Sequence, residues 1–281
     1  MAYYTELWRQ LVPLYGENEA KAIAKLVFEV AFNLSFTDIL CNKDTQLSKE
    51  QQHNLQKITE RLLSGEPVQY VLQQAWFAGS WFKVHSGVLI PRPETEDLCY
   101  WIAEQPTLSS LSNPKILDIG TGSGCIAITL SQLIKNAQTT AWDIAPEALS
   151  LAKENAKAMG VALEVMEQDA LNAPCDNEKW DVVVSNPPYI TPKEQNEMEA
   201  NVLQFEPDCA LFVPENNPLI FYKAITHYAQ KALVQGGALF FEINPLFVSE
   251  MKSLLAESGF ADIEVLIDRF GKERHVKGVK K

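Results

Sequence analysis

The spacing of apolar positions changes once along the chain, from a helical period to alternating strands and helices. Over residues 17–32, Ile23, Leu26, Val27 and Val30 share one helical face, which predicts a helix. Ser48 and Gln51 have the spacing of a capping box ahead of the stripe Leu55, Ile58 and Leu62, and Gly65 supplies a C′ stop. A short helix over 68–73 follows. Residues 1–75 therefore read as a small helical domain, with His53 a solvated helix residue. Within 76–90, Trp76-Phe77-Ala78 and Trp81-Phe82-Lys83-Val84 flank Gly79-Ser80, which predicts a β-hairpin linker turning on those two residues. Pro91 and Pro93 then hold the chain extended, and a helix is expected over 94–102.

Beyond residue 113 strands alternate with helices. Strands are predicted at 115–119, 139–143, 162–166, 180–185 and 238–243. Helices are predicted at 125–135, 146–159, 218–234 and 246–258, with Gly236 and Gly237 closing the third. Two late strands, 263–267 and 275–279, lack a crossover helix and should pair antiparallel. The expected class is α/β: a doubly wound, mostly parallel sheet of seven strands in a domain over 91–281, with helices on both faces. The small helical bundle precedes it.

Composition adds limits. The 281 residues are 47% hydrophobic and 21% charged, typical of a globular protein, and no apolar stretch approaches a membrane span. The N-terminal residues have no signal-peptide pattern. Five scattered cysteines without a C-x-x-C pair argue against zinc and disulfides, so no metal is expected and a cytoplasmic setting fits. The net charge is −12, and residues 1–75 carry only about −2 of it. Such a balance argues against stable nucleic-acid binding. A nearly neutral bundle before an acidic domain suits recognition of a partner.

Two stretches carry the chemistry. Asn186-Pro187-Pro188-Tyr189 follows a predicted strand. Two prolines stiffen the chain and leave its carbonyls free, so the corner can hold a planar NH2 group by its hydrogens and stack on its face. Asp118-Ile119-Gly120-Thr121-Gly122-Ser123-Gly124 lies between the first predicted strand of the sheet and its helix. Its G-x-G-x-G spacing departs from the dinucleotide fingerprint, whose last glycine would stand at Cys125. An acidic residue ahead of G-x-G-x-G is the form used by S-adenosylmethionine enzymes. Asp143 ends the second strand and can accept from ribose hydroxyls; Asp169 follows the third and can accept from an adenine amino group, with Ala170 against the ring.

Together these residues resemble class I methyltransferases acting on planar NH2 groups. Ile90-Pro91-Arg92-Pro93-Glu94-Thr95-Glu96, the helical N-terminal region and Phe205-Glu206-Pro207 before Ala210-Leu211 narrow the resemblance to the HemK/PrmC family. That family methylates the glutamine N5 of the GGQ motif in peptide chain release factors. The resemblance implies that Asp118, Gly120, Thr121, Gly122, Ser123 and Gly124 seat the methionine part of S-adenosylmethionine, with Asn186 beside it. It implies that Asp143, Asp169 and Ala170 hold the nucleoside, and that S-adenosylhomocysteine is the product. Asn186, Pro187 and Tyr189 would be catalytic, and Pro188 and Arg92 would join them in holding the glutamine. Residues 1–75 would contact the release factor. Asn244 stands where the family more usually has Gly; Asn tolerates φ > 0, so the turn is expected to survive.

Other readings share some of these features. An adenine-N6 methyltransferase on DNA or RNA would use every motif from Asp118 to Tyr189, but the net charge and the lack of a basic arm oppose it. A nicotinamide dehydrogenase conflicts with Cys125 and with His227 and His275, read as a helix-surface and a strand residue. A non-catalytic adaptor would not need an intact donor loop.

Overall fold

A computed structural model describes residues 2–281, the side chain of Glu197 excepted. The chain divides into two compact units: residues up to Gln74 with Glu199–Phe205, and Ala75–Met198 with Glu206–Lys281. Among the described residues no helix is long and apolar enough to cross a membrane.

The first unit opens with α1 (Tyr3–Phe32), which is broken at Gly16 (φ 75, ψ 167). Glycine reaches that conformation without a Cβ clash, and Pro13 has already removed a helical donor. The second half thus begins at Glu17, where the apolar period begins. Then come α2 (Phe36–Leu40), α3 (Lys49–Leu63) and α4 (Val68–Leu72). The capping box of α3 is formed: the Gln51 N–H donates to Ser48 Oγ at 3.2 Å, and the Ser48 N–H to Gln51 Oε1 at 2.9 Å. Leu11, Val27, Phe28, Leu55, Ile58 and Leu62 meet in one core. Arg61 donates to the carbonyls of Tyr70 and Val71 at 3.1 Å, which fixes α4 on the end of α3.

A hairpin, β1 (Gln74–Phe77) and β2 (Ser80–Lys83), leads into the second unit. Its turn residues are Ala78 and Gly79 rather than Gly79 and Ser80. Both have positive φ, 46° and 83°, the geometry that matches the twist of paired strands. The unusual Ala78 backbone is held by its N–H, which donates to Glu96 Oε1 at 3.0 Å.

The rest is α5 (Pro93–Ala103), α6 (Pro106–Ser109), β3 (Lys115–Ile119), α7 (Cys125–Leu133), β4 (Gln138–Asp143), α8 (Pro146–Ala158), β5 (Leu163–Glu167) and β6 (Trp180–Ser185). After α9 (Ala200–Phe205), which belongs to the first unit, come α10 (Asp208–Leu211), α11 (Ile220–Ala232), β7 (Leu233–Glu242), α12 (Val248–Glu257), β8 (Phe260–Ile267) and β9 (Glu273–Lys280). The sheet has the order β5-β4-β3-β6-β7-β9-β8. Neighbours from β5 to β7 are parallel, and β9 runs antiparallel to both β7 and β8. This is the expected seven-stranded, doubly wound sheet with its last pair antiparallel.

Successive strand residues face opposite sides, and the core divides accordingly. Phe241 joins Trp142, Tyr222 and Met251 on one face, while Phe240 joins Phe82, Leu98 and Ile126 on the other. One expectation fails at β7. The helix before it ends at Ala232, and the strand starts at once with Gly236 and Gly237 inside it. A Cβ on Gly237 would lie 3.1 Å from the Asp181 carbonyl oxygen, and the β6–β7 register shifts at this level. The glycines therefore make a bulge with close backbone approach, not a helix stop.

Candidate active site

Strand register assembles the site. Ile119 of β3 pairs with Trp142 of β4 on one side and with Ser185 of β6 on the other, and Ser185 pairs with Phe241 of β7. One residue further on, Gly120, Asp143, Asn186 and Glu242 stand on four adjacent strand ends at the carboxyl edge of the sheet. The reversal of strand order between β3 and β6 opens a crevice there, where ligands of open α/β sheets bind. A cavity at this edge is lined by the glycine loop 120–123, Asp143, Asp169, Ala170, Asn186, Pro187, Pro188 and Arg92.

Backbone geometry shapes the glycine loop. The N–H groups of Gly120 and Thr121 both donate to the Trp142 carbonyl at 2.9 Å. Gly120 has φ 74°, and a Cβ there would meet nothing within 4 Å, so the loop leaves open space beside it. Gly124 differs: a Cβ would lie 3.2 Å from the Ala152 backbone, so this glycine lets α7 and α8 approach. Asn155 of α8, which is buried, donates to the carbonyls of Ser123 (2.9 Å) and Lys83 (3.1 Å), tying the loop to β2.

The acidic residues occupy different settings. Asp118 is fully buried and does not line the cavity; Thr121 Oγ1 donates to its Oδ2 at 2.6 Å. Burial pushes its carboxyl up to about 7, and the Asp143 charge adds to the rise. Asp143 Oδ1 accepts the N–H groups of Ile144 (2.8 Å) and Ala145 (3.0 Å), while among the described residues Oδ2 accepts only Gly122 N–H at 2.9 Å. Oδ2 so keeps room for a second donor. Asp169 accepts from Leu171 N–H at 2.8 Å and Asn172 Nδ2 at 2.5 Å, and lines the cavity with Ala170.

Ser185 Oγ donates to the Ile119 carbonyl at 2.6 Å, which joins the ends of β6 and β3. Asn186 therefore emerges beside Gly120. Its Nδ2 donates to Thr95 Oγ1 at 3.3 Å, the one hydrogen bond of this side chain among the described residues. Tyr189 is not among the cavity residues: its ring packs on the core and its hydroxyl donates to Glu242 Oε1 at 3.1 Å. Arg92 lines the cavity, but its Nη2 is bound to Glu206 Oε1 at 2.5 Å, and the Glu206 side chain is 1% exposed. Asn244 has φ −70, not a positive value, because its Oδ1 caps a short turn by accepting Leu246 N–H at 3.0 Å. Its Nδ2 donates to the Tyr189 carbonyl at 3.2 Å and to Glu194 Oε1 at 2.9 Å.

Two family models match the chain: a PrmC N-terminal domain over residues 8–72 and a methyltransferase small domain over 105–205. A release factor glutamine methyltransferase of Bacteroides thetaiotaomicron is 40% identical over 95% of this chain and 95% of its own length. One of Flavobacterium psychrophilum is 38% identical over 98% and 97%. The chain belongs to the release factor glutamine methyltransferase family. Among solved structures, the T. thermophilus 16S rRNA N2 methyltransferase in complex with AdoMet and guanosine has a TM-score of 0.54 at 18% identity, covering 74% of this chain and 50% of that one; it shares the fold.

Against that family background, some cavity residues were not foreseen from the sequence. Ile144 is 63% exposed yet lines the cavity, and Gln168 lines it while donating to the Asp169 carbonyl at 3.1 Å. Each neighbours a foreseen aspartate, which is the signal that could have found it. Thr95 and Glu242 were also unforeseen; Thr95 lines the cavity. Both are buried, and Thr95 Oγ1 donates to Glu242 Oε2 at 2.6 Å. Burial pushes the Glu242 carboxyl up, opposed by hydrogen bonds from Thr95 and Tyr189 and by the Arg274 charge. His275 of β9 lies 4.0 Å away and is driven by burial down to about 4, so it is neutral. Among the described residues no cluster of His, Cys, Asp or Glu could hold a metal ion.

Proposed function

We propose that this chain transfers a methyl group from S-adenosylmethionine to the side-chain amide nitrogen of a glutamine in peptide chain release factors, the glutamine of their GGQ motif. One observation carries the reading: the Asn186 amide and the glycine loop line the same cavity, on neighbouring strand ends. The residues present suit the donor. The open space at Gly120 accommodates a ligand against the backbone, and Asp143 Oδ2 retains an acceptor site for a ribose hydroxyl. Asp169 takes the adenine amino group, with Ala170 and Ile144 against the ring. Bound there, S-adenosylmethionine supplies a methyl carbon made electrophilic by the sulfonium.

The chain's own residues do the rest. An amide nitrogen is a poor nucleophile because its lone pair is delocalised. Asn186 Oδ1 and the Pro187 carbonyl accept its two hydrogens, drawing electron density to nitrogen and aiming the lone pair at the methyl carbon. The nitrogen bonds to that carbon as the carbon–sulfur bond breaks, the electron pair leaves with sulfur, and a proton departs to solvent afterwards. No strong base is required. Alignment supplies on the order of 7–11 kcal/mol, and fixed dipoles add to it. Tyr189, tied to Glu242, braces the corner. The first unit is proposed to grip the release factor, and Arg92, held by Glu206, shapes the wall through which the glutamine enters.

Labelled S-adenosylmethionine offered with a release factor, the same factor carrying alanine for the GGQ glutamine, and duplex DNA tests the proposal. Label on the first alone is expected. Label on DNA, or on the alanine variant at an equal rate, would overturn it. Asn186→Ala should bind the donor normally and lose at least ~100-fold in rate; a rate within threefold of wild type would remove the assigned role.

A further inference from the structure

A carboxylate buried two bonds behind a substrate-binding amide costs stability, and Glu242 has just that position. Its Oε1 accepts from the Tyr189 hydroxyl at 3.1 Å, and its Oε2 from Thr95 Oγ1 at 2.6 Å. Its backbone carbonyl is fixed in turn by the Tyr222 hydroxyl at 3.0 Å. Thr95 Oγ1 then accepts Asn186 Nδ2 at 3.3 Å. Glu242 touches none of the reacting groups assigned above; it is two hydrogen bonds removed from them.

We propose that Glu242 is a positioning residue for methyl transfer, which through the Thr95 hydroxyl dictates which end of the Asn186 carboxamide faces the cavity. The number of available protons decides the orientation. Asn186 can present either its oxygen or its NH2, and the two orientations have nearly the same shape. A threonine hydroxyl has one proton. The Thr95 hydroxyl donates to Glu242 Oε2, so that proton is committed to Glu242, and Thr95 can then only accept from Asn186. The Asn186 NH2 must turn toward Thr95, and Oδ1 is left for the cavity. That is the orientation an NH2 substrate requires. The reverse orientation would set donor against donor. Meanwhile the second oxygen of Glu242 restrains Tyr189, three residues further on, so one carboxylate governs both ends of the Asn186–Tyr189 corner. The residue after it but one, Asn244, holds the Tyr189 carbonyl, and the end of β7 thus acts as a jig for the loop after β6.

Glu242→Gln is the discriminating change. Its NH2 would donate to Thr95, release the threonine proton, and allow Asn186 to turn over. This inference deepens the proposed function and rests on it. The test measures kcat and KM for a release factor, donor affinity by calorimetry, and melting temperature, for wild type, Glu242→Gln, Thr95→Ser and Thr95→Val. Glu242→Gln and Thr95→Val should lose 30-fold or more in kcat, with KM and donor affinity within threefold. Thr95→Ser, which keeps the proton, should stay within threefold in kcat. Removal of a buried charge should leave the Glu242→Gln melting temperature equal or higher, which separates orientation from a merely structural role. A Glu242→Gln kcat within threefold of wild type, or a loss matched by a lower melting temperature or weaker donor binding, would overturn the inference. A wild-type protein that does not label the release factor would instead overturn the function on which it rests.

Discussion

Ser185 Oγ donates to the Ile119 carbonyl oxygen at 2.6 Å, across 66 positions of sequence, and both residues are buried. This bond closes the gap between the strand that ends in the glycine loop and the strand that ends in Asn186. Parallel strands leave their last carbonyls without ladder partners, and here a side chain supplies one. Ser185→Ala should lose about 1–2 kcal/mol of stability, the cost of a buried acceptor left unpaired. Methyl transfer should fall about 10-fold or more, because the loops proposed to hold donor and acceptor lose their common anchor. Chemical denaturation and steady-state rates check this; unchanged values for both would show the bond to be dispensable.

Arg92 and Glu206 form a pair in which the carboxylate is 1% exposed and the guanidinium 32% exposed. Glu206 Oε2 also accepts Ile90 N–H at 3.3 Å. Arg92→Ala would leave an anion buried without its partner, costing about 3 kcal/mol or somewhat less, since the arginine is partly solvated. Glu206→Gln in the Arg92→Ala background should recover much of the loss. Melting of the two single variants and the double variant measures the coupling; simple additivity would mean that the pair is not a unit.

Asn244 caps a turn and holds the Tyr189 carbonyl. Asn244→Gly should keep the fold but free that carbonyl and Glu194. The expected outcome is a loss of about 1–2 kcal/mol and faster amide exchange over 189–194. Exchange equal to wild type would mean that the Thr191–Glu194 bonds, at 2.7 and 2.8 Å, hold the segment by themselves.

Asp118 gives a pH dependence of definite sign. Its folded carboxyl, pushed up by burial to about 7, prefers the protonated form. The stability that it contributes is complete below pH ~4, its ordinary range, and is lost as pH rises through about 7. Asp118→Asn, which keeps the acceptor for Thr121, should gain relative to wild type between pH 5 and pH 8 by roughly 2–4 kcal/mol. Melting curves at the two pH values decide it, and a difference that does not change with pH would contradict the raised carboxyl.

Much of this molecule is determined by local sequence. The order of strands and helices follows from apolar period, and the start of the second half of α1 follows from Gly16. The capping box at Ser48 is a contact between residues three apart. The glycine loop and the Pro187-Pro188 corner are legible because backbone freedom and backbone stiffness belong to residues themselves. Local sequence misjudged Gly236-Gly237, since a bulge and a helix stop use the same residue and only Asp181 on the neighbouring strand tells them apart.

What only the tertiary structure decided is who faces whom. Asp118 was expected beside a ligand and lies buried beneath the loop; Arg92 faces Glu206; the Tyr189 hydroxyl turns to Glu242. Thr95 and Glu242, 147 positions apart, meet at 2.6 Å behind Asn186. Nothing in the neighbourhood of either residue in sequence announces the other. Helix α5 carries Thr95 onto the end of β7, while parallel strand register sets Glu242 beside Asn186, and both follow from packing of the whole sheet. Hydrogen-bond direction, down to the single proton of Thr95, could be assigned only once that register had placed every partner.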